Sequence, residues 1–542
     1  MTILPQTLPD LVIANASNDN GDRSAVVDDT GRRLTYRELL HEAAKFCDGL
    51  RQLGIGPRSV VGLLAPNSTD WIVSLLGAQM CGATVAAFHT WVKAHEMKFL
   101  LTHSEAELLV MGRRVGDRDL LEPVRELIPE IDGNPVGSWR SGEFPRLRTV
   151  VLMGDGIGVP VGVVPQDQLV TGRQETASKL YPSDPSDVAV VLYTSGSTAH
   201  PKGVPLIQGD MVRNGFEIGE RMGLGPDDRV WLGSPLFWSF GVANALVAAL
   251  THQATLVVQE KFNARQAALQ IQRESCTAAY LLPAMTYSFL EIPNIADEFS
   301  TVRTGLTIGR KEEIEMVVEG LGIKGICNVY GSTETYGNCC VTPFDMPLEQ
   351  RLRCQGTPLP GFEIRIVDDA TGQDLPAGQP GAVFVRGRVT PGYVKAPELN
   401  EETFIEDGWY RSGDIGFLDQ DGAFTFVTRD TDMIKTNGIN VSPAEIEEFV
   451  ASDPSISEVV VVGVPDQLKG QAIAAVVRLS PGSHLTEDEI IARCKDQLAA
   501  YKVPHSVHIV SEIPLTATGK LSRRSLIEVI VGRAALETDE EK

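Results

Sequence analysis

The sequence lacks the features of several classes of protein. The most apolar long stretch, residues 241–258, is interrupted by Asn244, Thr251, His252 and Gln253, which makes it too short and too broken to cross a bilayer. Positive charge is also scarce: 48 Lys and Arg stand against 71 Asp and Glu, a net charge of −23. We therefore expect no stable membrane insertion, and neither a nucleic acid nor an anionic membrane as the main partner.

Two further absences concern the compartment. The eight cysteines are scattered, with Cys339 and Cys340 adjacent, and their spacing fits neither a disulfide framework nor a zinc site. The N-terminus has no basic segment followed by an apolar core, so it is not a signal peptide. These features predict a reducing, cytoplasmic location.

Helical and strand patterns alternate along the chain, which predicts an α/β fold. Residues 25–35 read as a hairpin, and Thr35 with Glu38 forms the capping box of the next helix. Residues 241–258 read as a buried helix that continues into a strand. Buried strands are predicted for the apolar runs 59–64, 83–88, 108–111, 149–153 and 188–193.

The pattern of predicted helices and strands changes near residue 430. Beyond it, Ser442, Pro443 and Glu445 predict a capped helix with proline at its first position, and Thr486 with Glu489 predicts another. The strands 458–466 and 471–480 lie between these helices. We therefore predict a large N-terminal domain, 1–430, and a small α+β domain, 431–542.

A glycine- and hydroxyl-rich segment follows the last of the predicted N-terminal strands. In YTSGSTAHPKGV (193–204), backbone N–H groups and hydroxyls could bind a di- or triphosphate, and Lys202 could add charge. The segment is not a Walker A loop, which would need glycine at Pro201 and Ser or Thr at Gly203. Taken alone, it also fits a linker.

Four later segments follow in a fixed order: NVYGSTETYG (328–337), GWYRSGD (408–414), TRDTDMIKTNGINVSPAEIE (428–447) and PLTATGK (514–520). With the phosphate-type loop, they resemble the adenylate-forming superfamily of acyl-CoA synthetases, carrier-loading adenylation enzymes and luciferases, over about residues 20–530. The resemblance implies an N-terminal domain of stacked subdomains with a small β-barrel, and a mobile C-terminal domain. It also implies ATP, Mg²⁺ and a carboxylic acid as ligands, with an acyl-adenylate as the intermediate.

The resemblance assigns roles in nucleotide binding. The phosphate loop would be Thr194, Ser195, Gly196, Ser197, Thr198 and Lys202; Ala199 stands where the family usually has glycine. Asn328 would bind the adenine, Tyr330 would stack on or flank the base, and Thr333 would contact the α-phosphate. Gly331 would also belong to the nucleotide site. Glu334 would hold Mg²⁺, since one carboxylate together with phosphates suffices for this ion. Asp414 and Arg429 would bind the ribose, and Lys520 would bridge the substrate carboxylate and the α-phosphate. Thr198, Lys202, Glu334 and Lys520 are thus the predicted catalytic residues.

The acyl pocket and the thiol path follow from the same resemblance. PLFWSFG (235–241) matches the segment that gates the acyl pocket, and small residues in TGLTIG (304–309) indicate room for a bulky apolar acid. The predicted lining is Trp238, Phe240, Gly241, Val242, Gly305, Gly309, Tyr336 and Asn338. Domain rotation about Thr431 would bring Gly438, Lys435 and Lys502 to the path of a pantetheine thiol, with Lys502 compensating for a nucleotide-binding arginine that relatives have where Val503 stands.

Several alternatives stay open at this point. CoA and the pantetheine of a carrier protein would use the same tunnel, so both an acyl-CoA ligase and a carrier-loading enzyme fit. A non-catalytic ATP-binding protein fits less well because Glu334, Asp414 and Lys520 are all retained. The sequence favours a fatty, aryl or polycyclic acid, and luciferase-type oxidation is a minor alternative.

Overall fold

The structure is a computed structural model that describes residues 4–154, 158–169, 180–194, 201–429, 433–466, 468–511, 513, 526–527 and 530. Its contacts divide the chain into two compact units. The first comprises residues 1–90, 97–193 and 203–428. The second comprises residues 429–542 together with two short segments, 91–96 and 194–202.

An eight-stranded sheet forms one layer of the first unit. Its six central strands are parallel, and each edge carries one antiparallel strand. Parallel strands buried on both faces are typical of an α/β fold. In spatial order the strands are Cys340–Val341, Gly325–Tyr330, Thr304–Thr307, Ala278–Leu281, Arg229–Leu232, Thr255–Val258, Ser24–Val27 and Arg33–Thr35.

A seven-stranded sheet forms a second layer. Five parallel pairings run from Val188–Thr194 across to Val163–Pro165. The order is Lys202–Ile207, Val188–Thr194, Thr84–Ala87, Val60–Leu64, Leu108–Met111, Thr149–Leu152 and Val163–Pro165. The five apolar runs predicted as strands are therefore all confirmed.

The remaining strands of the first unit are antiparallel. Phe362–Val367, Gly381–Gly387, Trp409–Leu418, Phe404–Ile405 and Phe424–Arg429 form a five-stranded sheet. Arg114–Val115 and Arg118–Asp119 form a small hairpin.

Helices cover the sheets of the first unit. The longest are Tyr36–Gln52 and Gln208–Met222. The other α-helices are Leu8–Ser17, Thr69–Met80, Ala94–Ser104, Leu121–Leu127, Glu130–Gly133, Gln166–Leu169, Val247–Thr251, Ala264–Arg273, Pro283–Leu290, Ile295–Glu298, Lys311–Gly320, Leu348–Arg351 and Pro397–Thr403. A π-helix lies at Phe240–Leu246, and 3₁₀ turns lie at Thr333–Thr335 and Glu406–Gly408. One large core cluster packs the helices of residues 264–321 against the eight-stranded sheet.

Local sequence signals explain several of these boundaries. Thr35 and Glu38 form the predicted capping box: Thr35 Oγ1 accepts from the Glu38 amide at 3.2 Å, and the Glu38 carboxylate accepts from the Thr35 amide at 2.8 Å. Residues 240–258 are buried helix followed by a buried strand, as the interrupted apolar stretch predicted. Among the described residues, no helix has both the length and the apolar character needed to span a membrane.

The second unit has its own sheet and core. Its strands, in order, are Ile439–Val441, Ile434–Thr436, Gly470–Leu479 and Ile456–Asp466, with Ser506–Ile509 added parallel to Gly470–Leu479. The helices Pro443–Ala451 and Glu487–Gln497, and the 3₁₀ turn Ala500–Lys502, accompany it. Apolar side chains such as Ile434, Val461, Ile473 and Val507 form its core.

One of the two predicted caps in this unit is correct and the other is wrong. Thr486 and Glu489 form a capping box. Ser442 stands at the N-cap and Pro443 at the first helical position, but Glu445 does not complete that box. Its carboxylate instead accepts from Lys502 Nζ at 2.5 Å, because a buried ammonium competes for it.

Candidate active site

The nucleotide motif NVYGST ends a buried strand of the first unit. Gly325–Tyr330 is the last parallel strand of the eight-stranded sheet, and its carboxyl end leads into the 3₁₀ turn Thr333–Thr335. Ligands of open α/β sheets bind outside the carboxyl ends of parallel strands. The sheet therefore presents residues 330–334 where a ligand would bind.

Tyr330 and Asp414 form a buried pair across two sheets. Tyr330 Oη donates to Asp414 Oδ2 at 2.8 Å, and Asp414 is 4% exposed. The ring of Tyr330 packs on Phe424, with centroids 4.2 Å apart. Burial, and then the charge of Asp414, raise the pKa of Tyr330 well above its ordinary value, so the phenol stays a donor. The structure thus brings together the residues expected at the base and the ribose.

Asn328 is fully engaged within the protein. Its Nδ2 donates to the carbonyl oxygens of Gly309 and Cys354, both at 3.2 Å, and its Oδ1 accepts from the Val329 amide at 2.9 Å. The residue is 1% exposed. Asn328 therefore ties its strand to the segments of Gly309 and Cys354. Both Nδ2 hydrogens are used, so a contact with adenine would use the second lone pair of Oδ1 or replace one of these bonds.

Glu334 lies in the turn that follows the strand. Its Oε1 accepts a hydrogen bond from Tyr393 Oη at 2.8 Å, and its backbone carbonyl accepts from the Thr390 amide at 2.8 Å. Burial, together with the charge of Glu334 and the neighbouring Tyr410, raises the pKa of Tyr393, so its hydroxyl remains the donor. Thr333, one residue earlier, has its Oγ1 3.3 Å from Ser239 Oγ.

Glu334 is the candidate protein ligand for the predicted Mg²⁺. Within the described ranges, no group of three or more His, Cys, Asp or Glu side chains could hold an ion by itself. Glu334 is 9% exposed, and among the described residues only its Oε1 has a hydrogen-bond donor. A single hard oxygen ligand of this kind fits Mg²⁺ that is bound mainly through phosphates.

A cluster of asparagines supports the backbone after Glu334. Tyr336 has a positive φ of 59°, an unfavourable conformation for a non-glycine residue. Its carbonyl oxygen accepts from Asn244 Nδ2 at 2.7 Å and from Asn214 Nδ2 at 3.3 Å. Asn338 Nδ2 donates to Asn244 Oδ1 at 2.6 Å. These buried amides hold the turn in place.

The same geometry changes our view of two predicted pocket residues. Tyr336 is fully buried, and its hydroxyl donates to Asp210 Oδ2 at 3.3 Å and accepts from the Ile207 amide at 3.1 Å. Asn338 is 2% exposed and is part of the asparagine cluster. Both side chains therefore support the backbone of the site, and a role in lining the acyl pocket stays a prediction.

The glycines predicted to make the pocket roomy have packing roles. A Cβ at Gly305 would lie 2.0 Å from the carbonyl oxygen of Ala279 on the neighbouring strand. At Gly241 it would lie 2.2 Å from the Pro235 carbonyl oxygen, and at Gly309 2.7 Å from Glu313 Cβ. Gly331, which was predicted at the nucleotide site, is similar: its Cβ would lie 2.5 Å from the carbonyl oxygen of Gly337. Close approach of neighbouring atoms, which are backbone at every one of these positions except Gly309, therefore favours glycine here, and the presence of glycine does not by itself measure the size of the pocket.

The aromatic segment expected at the acyl pocket, residues 235–241, leads into the π-helix Phe240–Leu246. Such helices are uncommon and are often found at functional sites. Phe240 packs edge-on against Tyr280, with centroids 5.0 Å apart, and Val242 is fully buried. Trp238 is partly exposed, which suits a residue at the rim of a pocket.

The predicted phosphate loop falls mostly outside the described residues. Ser195, Gly196, Ser197 and Thr198 are not described, while Thr194 ends one strand and Lys202 begins the next. Tyr193 Oη lies 3.1 Å from His103 Nδ1, and His103 Nε2 lies 3.2 Å from the carbonyl oxygen of Val394. Since a carbonyl oxygen only accepts, Nε2 carries the proton.

In the second unit, Asn437 and Gly438 form an exposed hairpin turn. Both have positive φ, 51° and 78°, as a type I′ turn requires. Asparagine tolerates a positive φ better than most non-glycine residues do, so Asn437 suits this turn. Lys435, just before the turn, is also exposed. Arg429 ends a strand, while Thr431 and Lys520 lie outside the described residues.

Lys502 differs from the expectation that it would help bind CoA. It is 1% exposed, and its Nζ donates to Glu96 Oε1 at 2.6 Å and to Glu445 Oε1 at 2.5 Å, all within the second unit. Burial would lower the pKa of Lys502, but Tyr501, Glu96 and Glu445 together raise it well above its ordinary value. The ammonium is therefore neutralised inside the protein, and this arrangement leaves it inaccessible to a nucleotide phosphate.

Sequence reasoning missed four residues that support the site: Asp210, Asn214, Asn244 and Tyr393. Asn244 did give a signal, because a buried asparagine within an otherwise apolar helix must find partners. Tyr393 gave none, since it lies outside the recognisable motifs.

Comparison with known proteins agrees with this geometry. Residues 13–394 match the family model for AMP-binding enzymes, and residues 445–520 match the model for the C-terminal domain of the same enzymes. The putative acyl-CoA synthetase YngI of Bacillus subtilis (strain 168) is 31% identical over 94% of each chain. The mitochondrial medium-chain acyl-CoA ligase ACSF2 of Mus musculus is 30% identical over 92% of this chain and 83% of its own.

A solved structure of an enzyme from this family is also similar to the chain. The anthranilate CoA ligase AuaEII, in complex with anthranoyl-AMP, has a TM-score of 0.71 and 27% identity, covering 98% of this chain and 99% of its own. The chain therefore belongs to the AMP-binding, adenylate-forming enzymes and, within them, to the family of acyl-CoA synthetases and ligases.

Proposed function

We propose that this enzyme activates a hydrophobic carboxylic acid with ATP, forming an acyl-adenylate and pyrophosphate, and then transfers the acyl group to the thiol of CoA with release of AMP. The observation that carries the proposal is the buried pair of Tyr330 and Asp414, beside the turn that holds Glu334. These groups suit the base, the ribose and the metal-bound phosphates of ATP.

In the first half-reaction, the substrate carboxylate attacks the α-phosphorus and pyrophosphate leaves. The ring of Tyr330 offers an apolar face to the adenine, and Asp414 has lone pairs for the ribose hydroxyls. Thr333 and the loop 194–202 donate hydrogen bonds to the phosphates, with Lys202 and Lys520 adding positive charge. Two anions meet in this step, so positioned donors and cations provide most of the stabilisation.

Glu334 would be the protein ligand of Mg²⁺, which neutralises phosphate charge when bound. The carboxylate is suited to this role because it is largely buried and one of its oxygens is held by Tyr393.

The acid is proposed to bind beside Trp238, Phe240 and Val242. These side chains are aromatic or aliphatic, and Trp238 is partly exposed, which supports a medium-chain, fatty or aryl acid. The names of two relatives agree with this range, since one is a medium-chain acyl-CoA ligase and the other an anthranilate CoA ligase.

For the second half-reaction, we propose that residues 1–430 and 431–542 act as domains that rotate about Thr431. Gly438 would then border the path of the thiol, with Lys435 nearby. The support is the exposed Asn437–Gly438 turn. Glycine has no side chain, so the thiol could come close to the backbone at this position.

The proposal is tested by ATP–pyrophosphate exchange across a panel of fatty, aryl and polycyclic acids, followed by addition of CoA and mass detection of the thioester. We expect exchange with one acid class and a CoA thioester of that acid. Exchange without a CoA product would indicate that a carrier protein is the acceptor. No exchange with any acid, together with no ATP binding, would contradict the proposal.

A further inference from the structure

Residues 390–394 connect Glu334 with the strand that follows the phosphate loop. The Thr390 amide donates to the carbonyl oxygen of Glu334 at 2.8 Å, and Thr390 Oγ1 donates to that of Pro205 at 2.6 Å. The Val394 amide donates to the carbonyl oxygen of Gly203 at 2.9 Å. The segment thereby fixes the distance between the predicted metal ligand and the strand Lys202–Ile207.

Tyr393, within this segment, is itself held from several sides. Its backbone amide donates to Asn400 Oδ1 at 2.7 Å, and its carbonyl oxygen accepts from Asn400 Nδ2 at 2.9 Å. Its ring packs edge-on against Phe404, with centroids 5.4 Å apart. With backbone and ring both constrained, the hydroxyl is directed at Glu334 Oε1, at 2.8 Å in a buried position.

A hydrogen bond of this kind restricts the carboxylate. A donor to a charged oxygen makes a stronger bond than one between neutral groups, especially where water is excluded. The carboxylate of Glu334 therefore keeps one rotamer, with Oε2 left for another ligand. Partners that orient a metal ligand typically change metal affinity by about 10- to 100-fold when they are removed.

We propose that Tyr393 is a positioning residue for Glu334, and that by holding Oε1 it strengthens the binding of Mg²⁺ together with ATP. The proposal rests on the proposed function, since it assumes that Glu334 is the metal ligand. It gives Tyr393 a role that acts through Glu334 and requires no contact with the nucleotide.

The test compares Tyr393→Phe with wild type in calorimetric titrations of ATP, with saturating Mg²⁺ and with a chelator. We expect the gain in ATP affinity from Mg²⁺ to fall about tenfold or more in the variant, while its affinity for ATP without metal stays unchanged. The matched control is Tyr36→Phe, which removes another buried hydroxyl, one that donates to the carbonyl oxygen of Ala254 at 2.8 Å. It should keep the full gain.

A double-mutant cycle separates positioning from a general structural role. In a Glu334→Gln background, Tyr393→Phe should cause no further loss of the Mg²⁺ gain, because its effect passes through the carboxylate. An unchanged gain in Tyr393→Phe, or an equal further loss in the Glu334→Gln background, would overturn the proposal.

Two further outcomes are informative. If Tyr393→Phe does not fold, Asn400→Ala tests the same idea by releasing the backbone of Tyr393, and it should lower the gain in the same direction; an unchanged gain in that variant would overturn the proposal. A wild-type protein that binds ATP with no gain from Mg²⁺ would overturn both the role of Glu334 and that of Tyr393. A wild-type gain that Tyr393→Phe retains would overturn only the role of Tyr393.

Discussion

The two units of the molecule hold their predicted functional residues in different ways. In the first, Tyr330, Asp414 and Glu334 are buried, and each is oriented by a hydrogen bond from or to another side chain. In the second, Lys435 and Gly438 lie on an exposed hairpin, while Lys502 is buried between two carboxylates.

The difference agrees with what each half-reaction of the proposed mechanism would require of the protein. Binding a nucleotide for in-line attack needs fixed donors and acceptors, and a buried hydrogen-bonded scaffold provides them. A residue that must enter and leave the site is better carried on exposed turns, in a unit whose own core is complete without it. Lys502 is instead buried in that unit between two carboxylates, an environment that does not favour its predicted role at the CoA site, and that role stays a prediction.

The largest effect is expected from breaking the buried charge cluster of the second unit. Lys502→Met would leave Glu96 and Glu445 buried without their cation, so we expect the free energy of unfolding to fall by about 3–5 kcal/mol. Urea unfolding measures this loss. In a triple variant with Glu96→Gln and Glu445→Gln, stability should recover. A Lys502→Met protein of normal stability but raised KM for CoA would instead restore the original CoA assignment.

The second prediction concerns Lys520, whose assignment depends on the motif PLTATGK alone. Lys520→Ala should reduce ATP–pyrophosphate exchange by about 10²- to 10³-fold, as expected for the loss of one charge-stabilising donor. Thioester formation from supplied acyl-adenylate should stay close to wild type. Lys495→Ala, at an exposed lysine of the same unit, is the control. Equal loss in both half-reactions would show that the two steps do not divide as proposed.

The third prediction separates a tunnel residue from an ordinary turn glycine. Gly438 and Gly482 both have positive φ, 78° and 85°, and a Cβ at either would meet no atom within 4 Å. Leucine at either position should therefore lower the free energy of unfolding by a similar amount, about 1–2 kcal/mol. Only Gly438→Leu should reduce thioester formation, by roughly 10²-fold if the thiol is misplaced, with adenylation preserved. Matching activities in the two variants would remove Gly438 from the thiol path.

Much of the fold could be predicted because its signals are local. Alternating apolar runs and a capping box such as Thr35 with Glu38 depend on residues within a few positions of each other. Glu445 looked like part of a similar box, but its partner Lys502 lies 57 residues away, and no local pattern reveals that competition.

The residues of the candidate site were also predictable only in part. Motifs located Tyr330, Glu334 and Asp414, since each lies in a short segment with a recognisable order. The residues that orient them were hidden: Tyr393 lies 59 residues after Glu334, and the asparagine cluster joins two helices to one turn. Gly305 illustrates a further difficulty, because small size alone cannot distinguish space for a ligand from close strand packing.

The smallest effect is expected at the bond between Tyr330 and Asp414. Tyr330→Phe keeps the ring and its packing on Phe424 but removes the donor to Asp414 Oδ2. Hydrogen bonds to charged groups contribute roughly 1.5–3 kcal/mol, and part of that is recovered when ribose hydroxyls replace the phenol as donors. We therefore expect the KM for ATP in the exchange reaction to rise by less than tenfold, with kcat nearly unchanged. Asp414→Asn, which removes the carboxylate charge, should raise the KM more. If Tyr330→Phe has the larger effect, then the hydroxyl of Tyr330, and not only its ring, binds the nucleotide. The motif alone would then not distinguish residues that contact the nucleotide from residues that orient them.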